Sequence, residues 1–526
     1  MSKARNFFLW VGIAVAVAGC TDILDQEPKT TLAPENFYTN IENFEVGVNG
    51  AYDALRTAYS TGELAYWRRD LWTDNMVPSA SSSIAVNVTA GELTPFSPLP
   101  DSFWEEYYAS VNTINEVLVA IETTDLTETE TLRRMEGELL FLRSMLYIDL
   151  VMLFGDIPFL QRPPGFTESF SVEVTPKAVV WENIHTDLDR AIDMLPATYE
   201  PDQRGRVTQG AALALQARAW LYDTGGTDHW NRVRDYTTRL IDNAAVYGYA
   251  LYDDGTPDSY YNLFITDHHS EDIFSLQHSA NLNNWGTFSN DKDVNSYVVT
   301  TSLVEAFETT DGRIVTDTTD PEYSYFNKEP RFAASILHIG GQRTGTDIFH
   351  FVPGNAVFAV SAKIKKGVNY SLSDLKQDPG NQMLLRYADV LLMHAEALNE
   401  TNDHAGAIDF LKMVRDRVGL PTSLTADYVT VQTAIRHERR VEFCFEGTRY
   451  FDIIRWDMGP QVFSGNAETY DRTAYSEVNG DTPPEAYPYQ KITEYAYRFI
   501  PERRYLFPIP DNERRLNTDL PQNLGY

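Results

Sequence analysis

Two hexapeptides in the N-terminal half of the chain share one pattern near the end of a helical segment. LRSMLY at 142–147 aligns with ARAWLY at 217–222, so that Arg143 matches Arg218 and Tyr147 matches Tyr222. A polar turn containing Asp-His follows the second hexapeptide, and a similar turn follows the segment that ends near residue 400. Helix–turn–helix units that repeat in this way stack on one another and bury a continuous core. The repeat therefore predicts an α-helical scaffold.

The spacing of small residues indicates how the helices of this scaffold pair. Ala395 and Ala407 are 12 positions apart, and Leu411 follows four residues later. Small side chains at this spacing let two antiparallel helices approach closely, as in a tetratricopeptide (TPR) hairpin. We expect a mainly α fold in which TPR-like hairpins form the scaffold and a loop-rich face carries a few short strands.

Apolar residues at three- and four-residue spacing predict helices towards both ends of the chain. The predicted ranges are 44–58, 102–121, 129–153, 178–195, 208–223, 229–246, 384–400, 404–417 and 427–443. Residues 246–383 are rich in Gly, Asp, Asn, Ser, Thr and Tyr and lack strong helical periodicity. Long irregular segments between regular ones more often carry function than connect domains. We expect one body, with a helical region at 20–245, an irregular ligand-facing region at 246–383 and a C-terminal region at 384–526.

The first twenty residues have the pattern of a secretory signal. Lys3 and Arg5 precede a 12-residue apolar run at 7–18, which is too short to span a bilayer. The run leads to VAGC, which is similar to a bacterial lipobox, whose cysteine takes a diacylglycerol when the signal is cut before it. We expect residues 1–19 to be removed and Cys20 to carry the lipid anchor. The alternative is an ordinary signal peptide with an incidental cysteine.

Charge and cysteine content exclude several classes of partner and chemistry. The chain has 43 Lys and Arg against 75 Asp and Glu, a formal net charge of −32. Such a surface repels phosphates, so the sequence predicts no nucleic-acid partner and no basic patch for anionic lipid. With Cys20 lipidated, Cys444 has no disulfide partner. Its apolar setting, VEFCF, indicates a small buried hydrophobic residue.

Four segments of the chain resemble a known family. They are residues 24–56, LLRYADVLLMHAEALNE at 384–400, ERRVEFCFEGTRYFDIIRW at 438–456 and YLFPIPDNERRLNTDLPQNLGY at 505–526. Their sequences, order and spacing resemble those of the RagB/SusD family of Bacteroidota outer-membrane lipoproteins. The resemblance covers nearly the whole mature chain, whereas the central loops match only in kind.

The resemblance implies a function. Members of this family are surface-exposed, lipid-anchored proteins of the outer membrane, with a TPR-like back and a loop-rich front that binds glycans. They cover a TonB-dependent, SusC-like β-barrel transporter, capture oligosaccharide and deliver it to the barrel. They are binding proteins and not enzymes, and they need no cofactor. The alternatives are a non-glycan nutrient such as a peptide, a pure interaction module of the transporter, and a surface glycoside hydrolase.

The family motif at 438–456 also has a plain physical interpretation. Glu438 and Glu442 are four residues apart on a predicted helix, and Gly447 suits a helix C-cap. The residues that follow predict a short amphipathic helix. We therefore expect the motif to be structural and assign it no ligand contact.

Candidate sugar contacts come from aromatic residues that lie beside amides and carboxylates, because pyranose C–H groups stack on flat rings and hydroxyls need polar partners. The first candidate is NLNNWG, with Trp285 beside Asn283 and Asn284; a structural loop anchor is the alternative. The other candidates are Tyr260 with Tyr261, and Trp72 with Asp74 and Asn75. The last group leads into a Ser-rich loop at 79–83, which lacks the Trp or Arg of some glycan-binding relatives.

Metal and catalytic motifs are weak in this sequence. Asp253, Asp254 and Asp258 resemble a loose Ca²⁺ turn but lack EF-hand spacing, and adjacent His268 and His269 would point apart in an extended segment. We predict no metal site. The chain has no GxSxG, HExxH or Walker motif. A glycosidase dyad stays open, because it is defined by distance in space.

Overall fold

The structure is a computed structural model of the chain. It describes residues 37–60, 62–78, 86–127, 129–164, 172–226, 228–278, 288–294, 297–344, 347–349, 362–471 and 489–526. The signal sequence, Cys20, Asn283, Asn284, Trp285 and the Ser-rich loop at 79–83 lie outside the described residues.

Helices dominate the described part of the chain. The N-terminal ones are α1 (Ile41–Ser60), α2 (Val86–Thr89), α3 (Pro98–Thr123), α4 (Glu130–Phe154), α5 (Lys177–Met194), α6 (Gln209–Tyr222), α7 (His229–Asp242) and α8 (Ala244–Tyr247). The others are α9 (Ser259–Asn262), α10 (Phe288–Val294), α11 (Thr301–Ala306), α12 (Pro330–Ser335), α13 (Tyr387–Glu400), α14 (His404–Asp416), α15 (Tyr428–Glu442), α16 (Arg449–Arg455), α17 (Gly459–Val462) and α18 (Asp511–Leu516). This content confirms the predicted mainly α fold.

The long helices pack as hairpins along the chain. Helix α4 packs on α5, α6 on α7, and α13 on α14, while α7 also packs against α13. Ala395 and Ala407, the small residues that predicted this arrangement, are fully buried. None of the described helices is long and apolar enough to cross a membrane.

The two aligned arginines of the sequence repeat have the same structural role. Arg143 on α4 donates from Nε and Nη2 to Asp187 Oδ2 of α5, at 3.0 and 2.7 Å. Arg218 on α6 donates from the same two atoms to Asp389 Oδ2 of α13, at 3.2 and 2.7 Å. Each arginine thus joins its helix to another helix through a planar, charge-assisted contact. The repeat seen in the sequence is therefore also a repeat of contacts.

The strands are short and form two-stranded antiparallel pairs. They are β1 (Met76–Pro78) with β3 (Tyr297–Val299), β2 (Asp272–Leu276) with β8 (Gln382–Arg386), β4 (Ile336–His338) with β7 (Ala362–Ile364), β5 (Gln342–Thr344) with β6 (Asp347–Ile348), and β9 (Asn466–Tyr470) with β10 (Lys491–Ala496). Most of them lie in the region predicted to be irregular with a few strands.

Two helix predictions need correction. Residues 384–386 belong to β8 and not to the helix, because Leu385 and Arg386 pair with β2 before α13 begins. The helix predicted over 229–246 is broken at Asn243, which separates α7 from α8.

The family motif at 438–456 is structural, but its glutamates and its glycine act differently from the prediction. Glu438 and Glu442 are fully buried and bind four arginines from three other segments, namely Arg331, Arg386, and Arg415 together with Arg417. The helix ends at Glu442, with Phe443 as its C-cap, so Gly447 is not the cap. Gly447 has φ +71°, and a Cβ there would lie 2.2 Å from the carbonyl oxygen of Tyr66. Glycine is needed because two backbone segments touch.

Candidate functional site

Trp72 belongs to the core. Its side chain is 1% exposed and makes edge-to-face contacts with Phe103, Tyr450 and Phe507 at centroid distances of 5.4–5.5 Å. Such contacts use the ring as a packing element. In this structure Trp72 therefore offers no free face to a sugar.

Asp74 and Asn75 are buried polar residues that join the N-terminal region to the family motif. Arg440 and Arg449 bind the Asp74 carboxylate at 2.9 and 3.1 Å. Burial alone would raise the pKa of Asp74, but these two arginines lower it to about 2. Asn75 donates to Asp70 Oδ1 at 2.7 Å and accepts from Arg440 at 3.1 Å. Their hydrogen bonds are made within the protein and hold the segment in place.

Tyr260 and Tyr261 are also used internally. The Tyr260 hydroxyl donates to the carbonyl oxygen of Glu442 at 3.0 Å, and its side chain is buried. The Tyr261 hydroxyl donates to the carbonyl oxygen of Val368 at 2.6 Å, and the residue is half-buried. Trp72, Asp74, Asn75, Tyr260 and Tyr261, five of the eight predicted sugar contacts, thus make contacts within the protein. A sugar role for any of the eight, Trp285, Asn283 and Asn284 included, stays a prediction.

The two flanks of the segment that contains Trp285 are well anchored. On its N-terminal side, the His278 amide donates to Asn381 Oδ1 at 3.0 Å. On its C-terminal side, Asp291 of α10 binds Arg68 at 2.8 Å, and Asp293 binds Lys363 at 2.6 Å. Both ends of the predicted sugar segment are therefore fixed to the scaffold.

A large groove begins where this segment leaves the described structure. Its first part, about 500 Å³, lies between α1, residues 202–206 and residues 274–278. Its second part, about 400 Å³, continues past Arg204 and Phe274 towards residues 268–272. The half-buried tyrosines along the two parts are Tyr52, Tyr199, Tyr247 and Tyr249. We call this feature the tyrosine groove.

A turn at 204–206 forms the wall that the two parts share, and a network around the buried Glu138 fixes it. Arg206 binds Glu138 at 2.9 Å and Glu45 at 2.8 Å. Tyr52 donates to Glu138 at 2.7 Å and accepts from the Val207 amide at 2.9 Å. These contacts connect the turn to α1 and α4, so the groove has a rigid base.

Gly205 brings the turn against Gln277, which directly follows β2 in the opposite wall. Its φ is +91°, and a Cβ there would lie 2.6 Å from Cδ of Gln277. The positive φ favours glycine, and an added Cβ would have to displace the Gln277 side chain. The adjacent Arg204 is exposed in the groove.

The titratable groups of the groove differ in their environment. Burial, together with the nearby charge of Arg56, lowers the pKa of His278 to about 4. Burial raises the pKa of Asp272 to about 6. The groove thus combines aromatic rings, amide groups, the uncharged imidazole of His278 and positively charged guanidinium groups. This combination suits a ligand rich in hydroxyls.

The other polar clusters of the sequence analysis are hydrogen-bonded turns. Asp254 accepts hydrogen bonds from Thr256 and Asn262, and His269 Nε2 lies 2.9 Å from the Leu263 carbonyl oxygen. Among the described residues, no three His, Cys, Asp or Glu side chains are grouped to hold a metal ion.

Sequence reasoning missed the groove. Tyr52 lies on a predicted helix, where its spacing indicates the packed face, and Arg204 lies in a short connection between helices. The one local signal was the turn DQRGR at 202–206, with a glycine between two arginines. The groove forms because α1 and β2 approach this turn from distant parts of the chain.

Comparison with known proteins identifies the family. The SusD family model matches residues 270–526, and a model described as starch-binding and associating with the outer membrane matches residues 22–221. The chain belongs to the SusD family. This confirms the resemblance of the four segments, and the family is one of carbohydrate-binding proteins associated with the outer membrane.

Relatives within the SusD family match the chain over nearly its full length. SusD-like protein P2 of Formosa agariphila is 24% identical, and the alignment covers 100% of both chains. The crystal structure of a SusD-like protein from Bacteroides fragilis superimposes with a TM-score of 0.78 and is 26% identical in sequence. The match covers 95% of this chain and 100% of the Bacteroides chain. A laminarin-binding SusD-like protein superimposes with a TM-score of 0.67 and is 23% identical, and the match covers 93% of this chain and 100% of that protein's chain. The last likeness shows a shared fold.

Proposed function

We propose that this protein is lipid-anchored through Cys20 at the outer-membrane surface, binds oligosaccharide and delivers it to a TonB-dependent, SusC-like transporter. The observation that supports this most directly is the tyrosine groove, which leads to the segment containing Trp285 in a chain of a carbohydrate-binding family. Half-buried tyrosine rings can stack on pyranose faces, and side chains such as Arg204 and Gln203 can bind hydroxyls.

In this proposal Trp285, Asn283 and Asn284 contact the sugar together with the groove. Five other residues stabilise the scaffold around the site, because their side chains are engaged in packing or internal hydrogen bonds. They are Trp72, Asp74, Asn75, Tyr260 and Tyr261. The mechanism is non-covalent capture followed by release to the barrel. It requires no cofactor and no catalytic residue.

The binding step is tested by calorimetry of the mature chain carrying Cys20→Ser against a panel of purified polysaccharides. We expect at least one glycan to bind, and Trp285→Ala to weaken that binding about tenfold or more, the loss of one good stacking contact. Phe96→Ala is the matched control, since Phe96 is 70% exposed and does not line the groove. Binding of peptides and of no glycan would support the alternative cargo.

The remaining steps need separate measurements. Labelling with a palmitate analogue should mark the wild type and not Cys20→Ser. Co-purification from the native membrane should recover a SusC-like barrel. Reducing-end assays on the bound glycan should detect no product; release of product would contradict the proposal that the protein does not act as an enzyme.

A further inference from the structure

A small polar cavity lies behind the helix that follows the predicted sugar segment. It has a volume of about 30 Å³ and is bordered by α10, the Lys366–Gly367 turn, β8 and the family motif. Its polar lining includes Lys292, Lys366, Asp378, Gln382 and Glu446. These five side chains are at least nine-tenths buried, whereas Asn381, which also lines the cavity, is half-buried. We call this feature the Gln382 cavity.

Gln382 is the residue that indicates a ligand. Its side chain is 3% exposed, and within the described part of the chain neither Nε2 nor Oε1 has a hydrogen-bond partner. An amide buried in this way loses its hydration without replacement, which is costly for both the donor and the acceptor. Native proteins usually satisfy such groups, often with an ordered water.

Lys292 brings a second polar group to the same cavity. Its Nζ donates to the Lys366 carbonyl oxygen at 2.8 Å. Gly367 has φ +70°, and a Cβ there would lie 3.1 Å from Nζ, so the glycine leaves room for the amine. Burial, with Lys366 nearby, lowers the pKa of Lys292 to about 7. The amine is thus held in a polar and tightly enclosed place.

We propose that the Gln382 cavity binds one or two ordered water molecules that connect the Gln382 amide to the other polar groups of its lining. The volume supports this, since one water needs roughly 10–15 Å³ of such space. The chemistry supports it as well, because Gln382 lines the cavity and its amide carries both N–H donors and an acceptor oxygen. A halide would leave Oε1 unpaired and a metal cation would leave Nε2 unpaired, whereas water serves both.

This water has a positioning role if the proposed sugar segment is correct. It joins β8 to α10, and α10 begins directly after the segment that contains Trp285. Two ion pairs also hold α10, Asp291 with Arg68 and Asp293 with Lys363. Water in the Gln382 cavity adds a further attachment of this helix.

A crystal structure of the mature chain carrying Cys20→Ser, at a resolution that shows ordered water, tests the proposal directly. We expect at least one density peak within hydrogen-bond distance of Gln382 Nε2 or Oε1. A cavity without density would overturn the proposal. A density peak that is contacted only by hydrogen-bond donors and that bromide can replace would also overturn the proposal, because such a peak is a halide ion.

Gln382→Met gives an independent test whose sign differs between a hydrated and a dry cavity. If water is bound, methionine loses its hydrogen bonds, and we expect Tm to fall by about 1–2 °C in a chain of this size. If the cavity is dry, the same change removes two unsatisfied atoms and Tm rises. Gln461→Met, on the exposed surface, is the control and should leave Tm unchanged. Neither readout depends on glycan, so failure of the proposed function would not affect this test.

Discussion

Arg386 Nη1 lies 2.8 Å from Glu442 Oε1, although 56 residues separate the two in the chain. The same guanidinium binds Glu271 at 2.8 Å and Glu446 at 2.7 Å. Arg386 and Glu442 are at most 2% exposed. The cluster therefore joins the irregular central region to the family motif through ion pairs that water does not reach.

Replacing Glu442 should strongly destabilise the protein. Glu442→Gln removes the carboxylate that Arg331, Arg386 and Arg417 share, and breaking a buried ion pair by removing one partner costs about 3–5 kcal/mol. Urea unfolding measures the loss. Glu122→Gln is the matched control, because Glu122 pairs with Arg162 on the surface and exposed pairs contribute at most about 1 kcal/mol. Equal effects of the two variants would contradict the role of the cluster.

The contribution of Lys292 to stability should depend on pH. Burial lowers its folded pKa to about 7, below the usual 10.5, so folding costs free energy wherever the unfolded chain is protonated. Wild-type stability relative to Lys292→Met should therefore rise as pH increases from 7 towards 10.5, by no more than about 5 kcal/mol. Urea unfolding at several pH values measures this. Lys412→Met, at an exposed position, should show no such trend.

Gly447→Ala should destabilise the folded protein more than Gly465→Ala, a replacement at another glycine with a similar positive φ. Its Cβ would meet the Tyr66 carbonyl oxygen at 2.2 Å, so the backbone must shift, which we expect to cost more than about 2 kcal/mol. Gly465 has φ +86°, and no atom of the described residues lies within 4 Å of a Cβ placed there, so Gly465→Ala costs only the left-handed strain of about 1–2 kcal/mol. Thermal unfolding of both variants separates the two effects.

The tyrosine groove can be altered without touching the core. Arg204→Ala removes an exposed donor, and we expect it to weaken glycan binding about tenfold. Gly205→Ala should also weaken binding, because its Cβ displaces Gln277. Calorimetry with the glycan found in the panel measures both. Arg162→Ala, on a different surface, should bind normally; unchanged affinity in Arg204→Ala would exclude the turn from the site.

Cys444 should resist thiol reagents in the folded protein. It is fully buried, and burial raises the pKa of its thiol to about 11, so little thiolate forms at neutral pH. In the Cys20→Ser chain it is the only thiol. Ellman's reagent should therefore react at the rate of unfolding. Rapid stoichiometric labelling of the native protein would contradict the buried position.

The helices were predictable because their signal is local. The range predicted as 129–153 is α4 at Glu130–Phe154, and 404–417 is α14 at His404–Asp416. Thr129 caps α4 by accepting a hydrogen bond from the Leu132 amide, which is a signal within four residues. The helix prediction was wrong at residues 384–386, because pairing with β2, more than 100 residues away, overrides their helical pattern.

The mainly α class, the hairpin repeat and the family could be predicted without coordinates, since helical periodicity and motif spacing are properties of neighbouring residues. Which polar and aromatic residues are buried and which line the groove depends on the three-dimensional fold. Tyr260 lies in a loop-like segment, yet its hydroxyl meets a carbonyl oxygen 182 residues away and is buried. Tyr52 lies on a helix, yet it lines the groove. Burial depends on the partners that folding brings together, and no local pattern encodes those partners.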